Sequence, residues 1–334
     1  MNKLKCAVIG CGGLGKGHIK NLQANSRAEL VALCDIDPEQ FTRVVSTNLG
    51  DSNAPADLSR YRLYTDAEEL LEKETLDFVV IALPTYLHEP YSVMALDKGV
   101  HVFCEKPMAR TWEGCQNMVK AAHRNGKQLM IGQCLRFDTA YRMIKDAYTQ
   151  GTYGKLLRLE LTRYSLPPVW GHDNWFMDFE RSGGAAMDLH VHDADFINWL
   201  LGRPDSVRSD AIHVRSGFDC LSTRYYYQDG PVVTATADWS LPESYGFRPG
   251  YLAIFEHAAI TQDDNGPVIY AGNNEIHPEE LGSGNKYYDE VDHFMDCILC
   301  GTVSDIMPME STMQSIEIVT AEIRSANIGE EVSL

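Results

Sequence analysis

Lys5-Cys6-Ala7-Val8-Ile9-Gly10-Cys11-Gly12-Gly13-Leu14-Gly15-Lys16 is the stretch whose reading decides the fold. The apolar run Leu4 to Ile9 reads as a buried strand, and a helix is expected from about Lys16 to Ala24. Between them lies G-x-G-x-x-G. Such a match is weak alone, because glycines also make ordinary turns, but strand before and helix after is the context the motif requires. Gly10 allows the tight turn, Gly12 lets the backbone approach a pyrophosphate, and Gly15 lets helix and strand pack closely. The helix N-terminus then offers unpaired N–H groups to phosphates, and Gly13 and Leu14 in the turn before it are further candidate cofactor contacts. Asp35 follows the second strand, Glu29 to Cys34, about 20 residues after Gly15, where an acidic residue hydrogen-bonds the adenosine ribose. Its carboxylate would repel a 2′-phosphate, so NAD is the expected cofactor.

Outward from this unit the same grammar repeats. Asp37-Pro38 opens a helix, and Thr65-Asp66-Ala67-Glu68 reads as a capping box before another. Phe78 to Leu83 shows no polar alternation, as expected of a parallel strand buried on both faces. Helices at Glu89 to Lys98 and from Thr111 to Asn125-Gly126 alternate with strands Val100 to Cys104 and Gln128 to Ile131. Alternation of this kind predicts a doubly wound parallel sheet over residues 1–131. Past residue 132 the pattern changes. Leu156 to Tyr164, Val207 to Val214, Ser222 to Tyr227 and Val232 to Trp239 read as strands. One strong helix, Met187 to Leu201, lies among them, with two more at about Tyr287 to Leu299 and Glu310 to Ala326. The expected fold is α/β: a Rossmann sheet, then an α/β domain over 132–334 with an open, largely antiparallel sheet. One face of that sheet must be covered by helices or another subunit, which makes a homo-oligomer (dimer or tetramer) an expectation.

Bulk properties exclude other classes. The 334 residues suit two domains, and the formal net charge of −18 argues against a nucleic-acid partner, which needs Lys/Arg stripes. Met1-Asn2-Lys3-Leu4 lacks the apolar core of a signal peptide, and no 18-residue apolar run could span a bilayer, so a cytoplasmic protein without a membrane partner is expected. The nine cysteines are odd in number and several fall inside strands, which suits reduced thiols. Cys297-Ile298-Leu299-Cys300 spells CxxC but has no second pair, so it reads as helix packing and no metal is expected.

Three further segments carry chemistry. Pro84-Thr85-Tyr86-Leu87-His88 and Glu105-Lys106-Pro107 follow the fourth and fifth strands, where open α/β sheets bind ligands. A lysine there can stabilise alkoxide charge on an alcohol oxygen. In Gly183-Gly184-Ala185-Ala186-Met187-Asp188-Leu189-His190-Val191-His192-Asp193-Ala194-Asp195, the residues Asp188, His192 and Asp195 are spaced i, i+4, i+7 and are expected to share one helix face, with His190 pointing away. A histidine among acids suits proton transfer near neutral pH. The competing readings are a hydrogen-bonded core histidine and a metal cluster. Tyr164 to Phe176 is rich in aromatics, and Trp175 is a candidate wall for a sugar's C–H face. Arg136, just past the sixth strand, is a candidate substrate contact.

On Gly10-Gly12-Gly15, Glu105-Lys106-Pro107 and Gly183-Gly184 with Asp188, His192 and Asp195, the chain resembles the glucose–fructose oxidoreductase and inositol dehydrogenase (Gfo/Idh/MocA) family over its whole length. The resemblance implies NAD(P)-linked redox chemistry on a small carbohydrate-like substrate: a secondary hydroxyl, or ketone, of a sugar, inositol or glycoside. It makes Lys106 the catalytic lysine, His192 the acid or base, and Asp188 a substrate-hydroxyl ligand beside it. It implies cofactor contacts from Pro84, Thr85, His88, Glu105 and Lys106. Two departures are His190, where relatives often have glycine, and Thr85, where many have asparagine. The alternatives are a glycoside 3-oxidase or NAD-dependent glycosidase that retains and recycles its NAD, and a non-catalytic sugar or nucleotide sensor.

Overall fold

The computed structural model describes residues 3–47, 50–53, 57–263, 266–278 and 284–334. Met1 and Asn2, part of the amino-terminal reading, lie outside the described residues. The chain folds as two compact units, residues 1–133 with 287–313, and residues 134–286 with 314–334. The contiguous division at 131/132 therefore gives way to an interleaved one, because residues 287–313 pack within the first unit. Phe294 shows why: its ring meets Phe78 at 5.7 Å and Phe103 at 5.8 Å, burying an aromatic cluster against the first sheet.

In the first unit the elements are β1 (Leu4–Ile9), α1 (Gly13–Ala24), β2 (Ala28–Cys34), the small hairpin β3 (Val45–Thr47) and β4 (Gly50–Ser52), and β5 (Arg62–Tyr64). They continue with α2 (Ala67–Lys73), β6 (Phe78–Ile81), α3 (His88–Asp97), β7 (His101–Glu105), α4 (Trp112–Asn125) and β8 (Leu129–Gly132). Six strands form one sheet in the order β5-β2-β1-β6-β7-β8, and every pairing is parallel. The four residues of β6 are each 0% exposed, which explains the absence of alternation in the sequence. Strand order reverses between β1 and β6, so the crevice outside their carboxyl ends is the place where this fold binds ligands. Thr111 caps α4 by accepting the Gly114 N–H at 3.0 Å, and Gly126 ends it at φ +61°. Two local readings change. Asp66 rather than Thr65 caps α2, accepting the Glu68 N–H at 2.8 Å, and Asp37-Pro38 begins only a single 3₁₀ turn, Pro38–Phe41.

The second unit begins with α5 (Thr139–Gln150), β9 (Leu156–Tyr164), α6 (Phe179–Ser182), α7 (Gly184–Asp188) and α8 (Val191–Leu201). Strands β10 (Ser206–His213), β11 (Phe218–Tyr226), β12 (Val232–Asp238), β13 (Arg248–Phe255), β14 (Ala258–Asp263), β15 (Gly266–Ala271) and β16 (Asn274–Ile276) follow. The chain closes with α9 (Lys286–Cys300), α10 (Met309–Ile328) and β17 (Val332–Ser333). The nine-stranded sheet runs β16-β15-β14-β13-β9-β12-β11-β10-β17; β9 pairs parallel with β12, and the other pairings are antiparallel. No helix among the described residues is long and apolar enough to cross a membrane.

Candidate active site

The first unit presents a cradle at the carboxyl ends of β1 and β2. Gly10 has φ +94°, and a Cβ there would lie 2.3 Å from the Ala82 carbonyl oxygen; a Cβ on Gly15 would lie 1.9 Å from that of Gly10. Neither position accepts a side chain, so both glycines are fixed by packing. Gly12 differs: a Cβ there would meet nothing within 4 Å, so the space before it is open. Helix α1 has no side-chain cap and no acidic residue in its first turn, which leaves its positive end to an outside anion. Asp35 accepts the Cys11 N–H at 2.7 Å through one oxygen and the Asp37 N–H at 2.9 Å through the other. Each oxygen keeps a lone pair for a ribose hydroxyl. Open glycine, uncapped helix and acidic acceptor together fit a dinucleotide.

Behind the second half of the sheet the polar residues do two kinds of work. Lys106 is partly exposed just past β7. His88 is 1% exposed; its Nδ1 lies 2.7 Å from the Pro107 carbonyl and its Nε2 2.8 Å from that of Leu83. Burial, the largest influence, lowers its pKa, while the two carbonyls oppose that shift. Glu105 is 3% exposed; it lies 2.6 Å from His18 Nε2 and accepts the Lys106 N–H at 3.2 Å. These two expected cofactor contacts are thus sealed behind the loops: they hold Leu83, Lys106 and Pro107 in place and offer a ligand little surface. Thr85 is likewise 1% exposed, and its hydroxyl has no hydrogen-bond partner among the described residues; Gln133, beyond β8 and missed in the sequence, is 1% exposed with both amide atoms in the same state. Polar atoms of that kind are met in folded proteins by water or by a ligand.

His18, Glu105 and Glu290 also bring ligand-type atoms within 4.8 Å of one another. The 2.6 Å His18–Glu105 contact has hydrogen-bond length. Two ligands on a tetrahedral ion would stand about 3.3 Å apart, given metal–ligand bonds of about 2.0 Å. The pair is read as hydrogen-bonded.

In the second unit the segment read as one helix is two. The His190 N–H closes α7 on the Ala185 carbonyl at 2.8 Å, and its own carbonyl starts α8 by accepting from Asp193 at 3.0 Å and Ala194 at 3.1 Å. Asp188 therefore ends one helix, while His192 and Asp195 begin the next, and the three do not share a single helical face. Asp195 is 1% exposed and Arg136 0%. Arg136 donates Nε and Nη2 to the two Asp195 oxygens at 2.8 and 2.7 Å, and Ser315 donates to one of them at 2.8 Å. Direct substrate contact, expected of both, does not suit a sealed bidentate pair; they anchor α8. A second such pair, Arg163 with Asp193, has contacts of 3.0 and 2.7 Å, and Arg163 also donates to the Tyr141 hydroxyl at 3.0 Å. Arg163 and Asp193 were not singled out in the sequence, although an acid beside His192 is their visible trace.

His192 and Asp188 remain half-buried, unlike His190, Asp193 and Asp195 around them. Trp175 is 8% exposed and stacked on Phe176 with ring centroids 3.9 Å apart, and Trp170 meets Phe176 edge-on at 6.0 Å. Phe176 and Met177 pack against a small core of Ala185, Leu189, Ala237 and Trp239. Trp175 is thus mostly committed to packing, and Trp170 is the more exposed indole of this loop.

Comparison with known proteins supplies the family. Residues 4–133 match the model of an oxidoreductase family with an NAD-binding Rossmann fold, and residues 141–261 match the GFO/IDH/MocA C-terminal domain. The inositol 2-dehydrogenase of Ralstonia nicotianae is 32% identical over 214 residues, covering 64% of this chain and 58% of that protein. That of Burkholderia lata is 31% identical over 213 residues, 63% and 58%. The chain thus aligns with under three-fifths of the length of these curated relatives. Among solved structures, the WlbA dehydrogenase from Bordetella pertussis, in complex with NADH and UDP-GlcNAcA, superposes with a TM-score of 0.84 at 24% identity, covering 100% of this chain and 99% of that one. Myo-inositol 2-dehydrogenase from Lactobacillus plantarum gives 0.81 at 22%, covering 100% of both. The glycine cradle on a six-stranded parallel sheet, followed by the mixed nine-stranded sheet, carries both signatures in order, and the chain belongs to the GFO/IDH/MocA oxidoreductase family.

Proposed function

We propose that this protein is an NAD-dependent oxidoreductase acting on a secondary hydroxyl, or the corresponding ketone, of a sugar, inositol or glycoside. One observation carries the reading: in the 183–195 segment Asp193 and Asp195 are sealed in ion pairs and His190 is sealed in the core, while Asp188 and His192 keep access to solvent. Two ion pairs thus hold a helix whose neighbouring histidine is only half-buried. The inositol 2-dehydrogenase relatives support the substrate class.

Bound at the glycine cradle, NAD supplies the hydride acceptor for alcohol oxidation or, when reduced, the donor for ketone reduction. Gly12 and the N-terminus of α1 receive the pyrophosphate, and Asp35 the ribose hydroxyls. His192 takes the hydroxyl proton in oxidation and returns it in reduction. A neutral imidazole suits that exchange near pH 7, where a bare alcohol is too weak an acid to release its proton unaided. The Lys106 ammonium supplies positive charge that stabilises the alkoxide developing on the reacting alcohol. Asp188 accepts a hydrogen bond from a substrate hydroxyl and so fixes which carbon reacts.

The test is a panel of inositols, aldoses and glycosides incubated with NAD. Nicotinamide absorbance follows turnover, and mass spectrometry identifies the product. Loss of two hydrogens from a ring carbinol is expected. A protein that binds NAD yet turns over no polyol of the panel, and reduces none of the corresponding ketones, contradicts the reading.

A further inference from the structure

We propose that His190 is a positioning residue: its buried ring, held by Tyr225 of β11 and Glu322 of α10, fixes the joint that sets Asp188 and His192 relative to each other. The inference rests on the reading of Asp188 and His192 above.

His190 is 0% exposed, so it cannot itself meet a substrate. Its Nε2 lies 3.0 Å from the Tyr225 hydroxyl and 3.2 Å from a Glu322 carboxylate oxygen, and Glu322 is also 0% exposed. The backbone of the same residue closes α7 and opens α8. One residue is thus the hinge of the two helices and the point at which that hinge is tied to a strand and to α10. Burial, the largest influence, favours the neutral ring, but the nearby Glu322 carboxylate, helped by Asp193, outweighs it and raises the pKa. The ring thus faces a buried carboxylate at the junction of the two helices. An aliphatic residue here would leave the buried Glu322 carboxylate and the Tyr225 hydroxyl without their 3.2 and 3.0 Å neighbour and release the hinge. Arg163–Asp193 and Arg136–Asp195 hold the body of α8. Those pairs lie on α8, whereas the His190 contacts lie at its junction with α7, next to the turn that carries Asp188. Reacting groups must be held to within a fraction of an ångström by such supporting contacts.

The experiment measures kcat, KM and NAD affinity for His190→Ala, His190→Gln and Tyr225→Phe, using myo-inositol or the polyol of the panel that turns over fastest. Misplacing a reacting group costs on the order of 10²-fold, so His190→Ala should lower kcat by about 10- to 100-fold in the folded protein. NAD affinity should stay within about twofold, because no cradle residue is touched. His190→Gln, whose amide can donate to the same oxygens, should recover most of the loss. In a His192→Ala background the 190 substitution should change kcat by less than about threefold, since the group it positions is gone. Unchanged kcat in folded His190→Ala, or a fully multiplicative loss in the double variant, overturns the proposal. Should His190→Ala not fold, Tyr225→Phe decides, because it removes one anchor and no charge. The His192 ring resonance in a proton–carbon spectrum should then move and kcat should fall; an unmoved resonance with normal kcat overturns the proposal without any need of His190→Ala. If His192→Ala alone leaves kcat intact, the functional reading fails; if only the 190 and 225 variants are silent, this inference fails and that reading stands.

Discussion

Arg163→Met, which removes the cation from Asp193, is the most quantitative perturbation of the second unit. Asp193 is 0% exposed and Arg163 3%, and they meet through two hydrogen bonds of 2.7 and 3.0 Å. Burial by itself pulls the Arg163 pKa down, and the Asp193 charge more than reverses it, so the guanidinium is held firmly charged. Removing it strands a carboxylate in the core and leaves the Tyr141 hydroxyl without its 3.0 Å donor. Breaking a buried pair from one side costs about 3–5 kcal/mol. Replacing both partners with apolar groups of similar volume is expected to cost much less, since the desolvation of two charges is removed along with their attraction. Arg163→Met should therefore destabilise by about 3–5 kcal/mol, and Arg163→Met with Asp193→Leu by about 1–2 kcal/mol. Urea unfolding followed by the fluorescence of Trp199 and Trp239 reports this unit, and NAD binding, read separately, should stay normal while the protein is folded. A cost under about 1 kcal/mol for the single variant, or a double variant as unstable as the sum of its singles, refutes the claim that the pair is a desolvated, coupled anchor.

Asp35→Ala should narrow the preference for NAD over NADP, measured as a ratio of dissociation constants; equal affinities in the unaltered protein would count against the role of that carboxylate. All nine cysteines are free and most are buried, so native labelling should reach exposed Cys300 first. Burial pushes the Cys115 and Cys34 thiols up to about 12, so these should label only on unfolding, and early modification of either would contradict the packing. His101 accepts the Gln128 N–H at 2.8 Å through Nδ1, which requires the neutral ring, and burial lowers its pKa to about 4 from 6.5. The folded state thus binds fewer protons than the unfolded one between those values, so stability should fall as pH drops from about 6.5 to 4. His101→Gln should flatten that acid limb, and an unchanged slope would show that the ring is not held neutral.

The first unit is legible because each signal is local. Apolar runs, a glycine turn and caps at Thr111 and Gly126 each sit beside the element they define. The second unit is read less completely. Helix α5 went unnoticed although Asp138 caps it by accepting from Ala140 at 3.0 Å, Gly151 ends it at φ +66°, and Tyr141, Ile144 and Ala147 fall on its buried face. Strands β13 to β16 were passed over as well, even though Tyr251, Ala253 and Phe255 alternate inward in β13. At the site, spacing locates Asp188 and His192 but cannot distinguish a half-buried group from one sealed in the core. Asp195 and Arg136 are 59 positions apart, and their pairing depends on the tertiary fold. The helix break at His190 is equally silent, because the contacts His190 makes there, with Tyr225 and Glu322, come from residues far away in the sequence.

The most direct test of the oxidoreductase assignment is a kinetic comparison of Lys106→Ala and His192→Ala with the unaltered protein on the best polyol of the panel, with NAD affinity measured alongside. Loss of a general base is worth about 10²- to 10⁴-fold, and loss of one strong electrostatic donor on the order of 10²- to 10³-fold. On the proposed reading, each single variant should lose kcat on those scales with NAD affinity nearly unchanged. Near-normal turnover by His192→Ala would contradict the assignment of the proton, and near-normal turnover by Lys106→Ala would contradict the electrostatic role of the lysine.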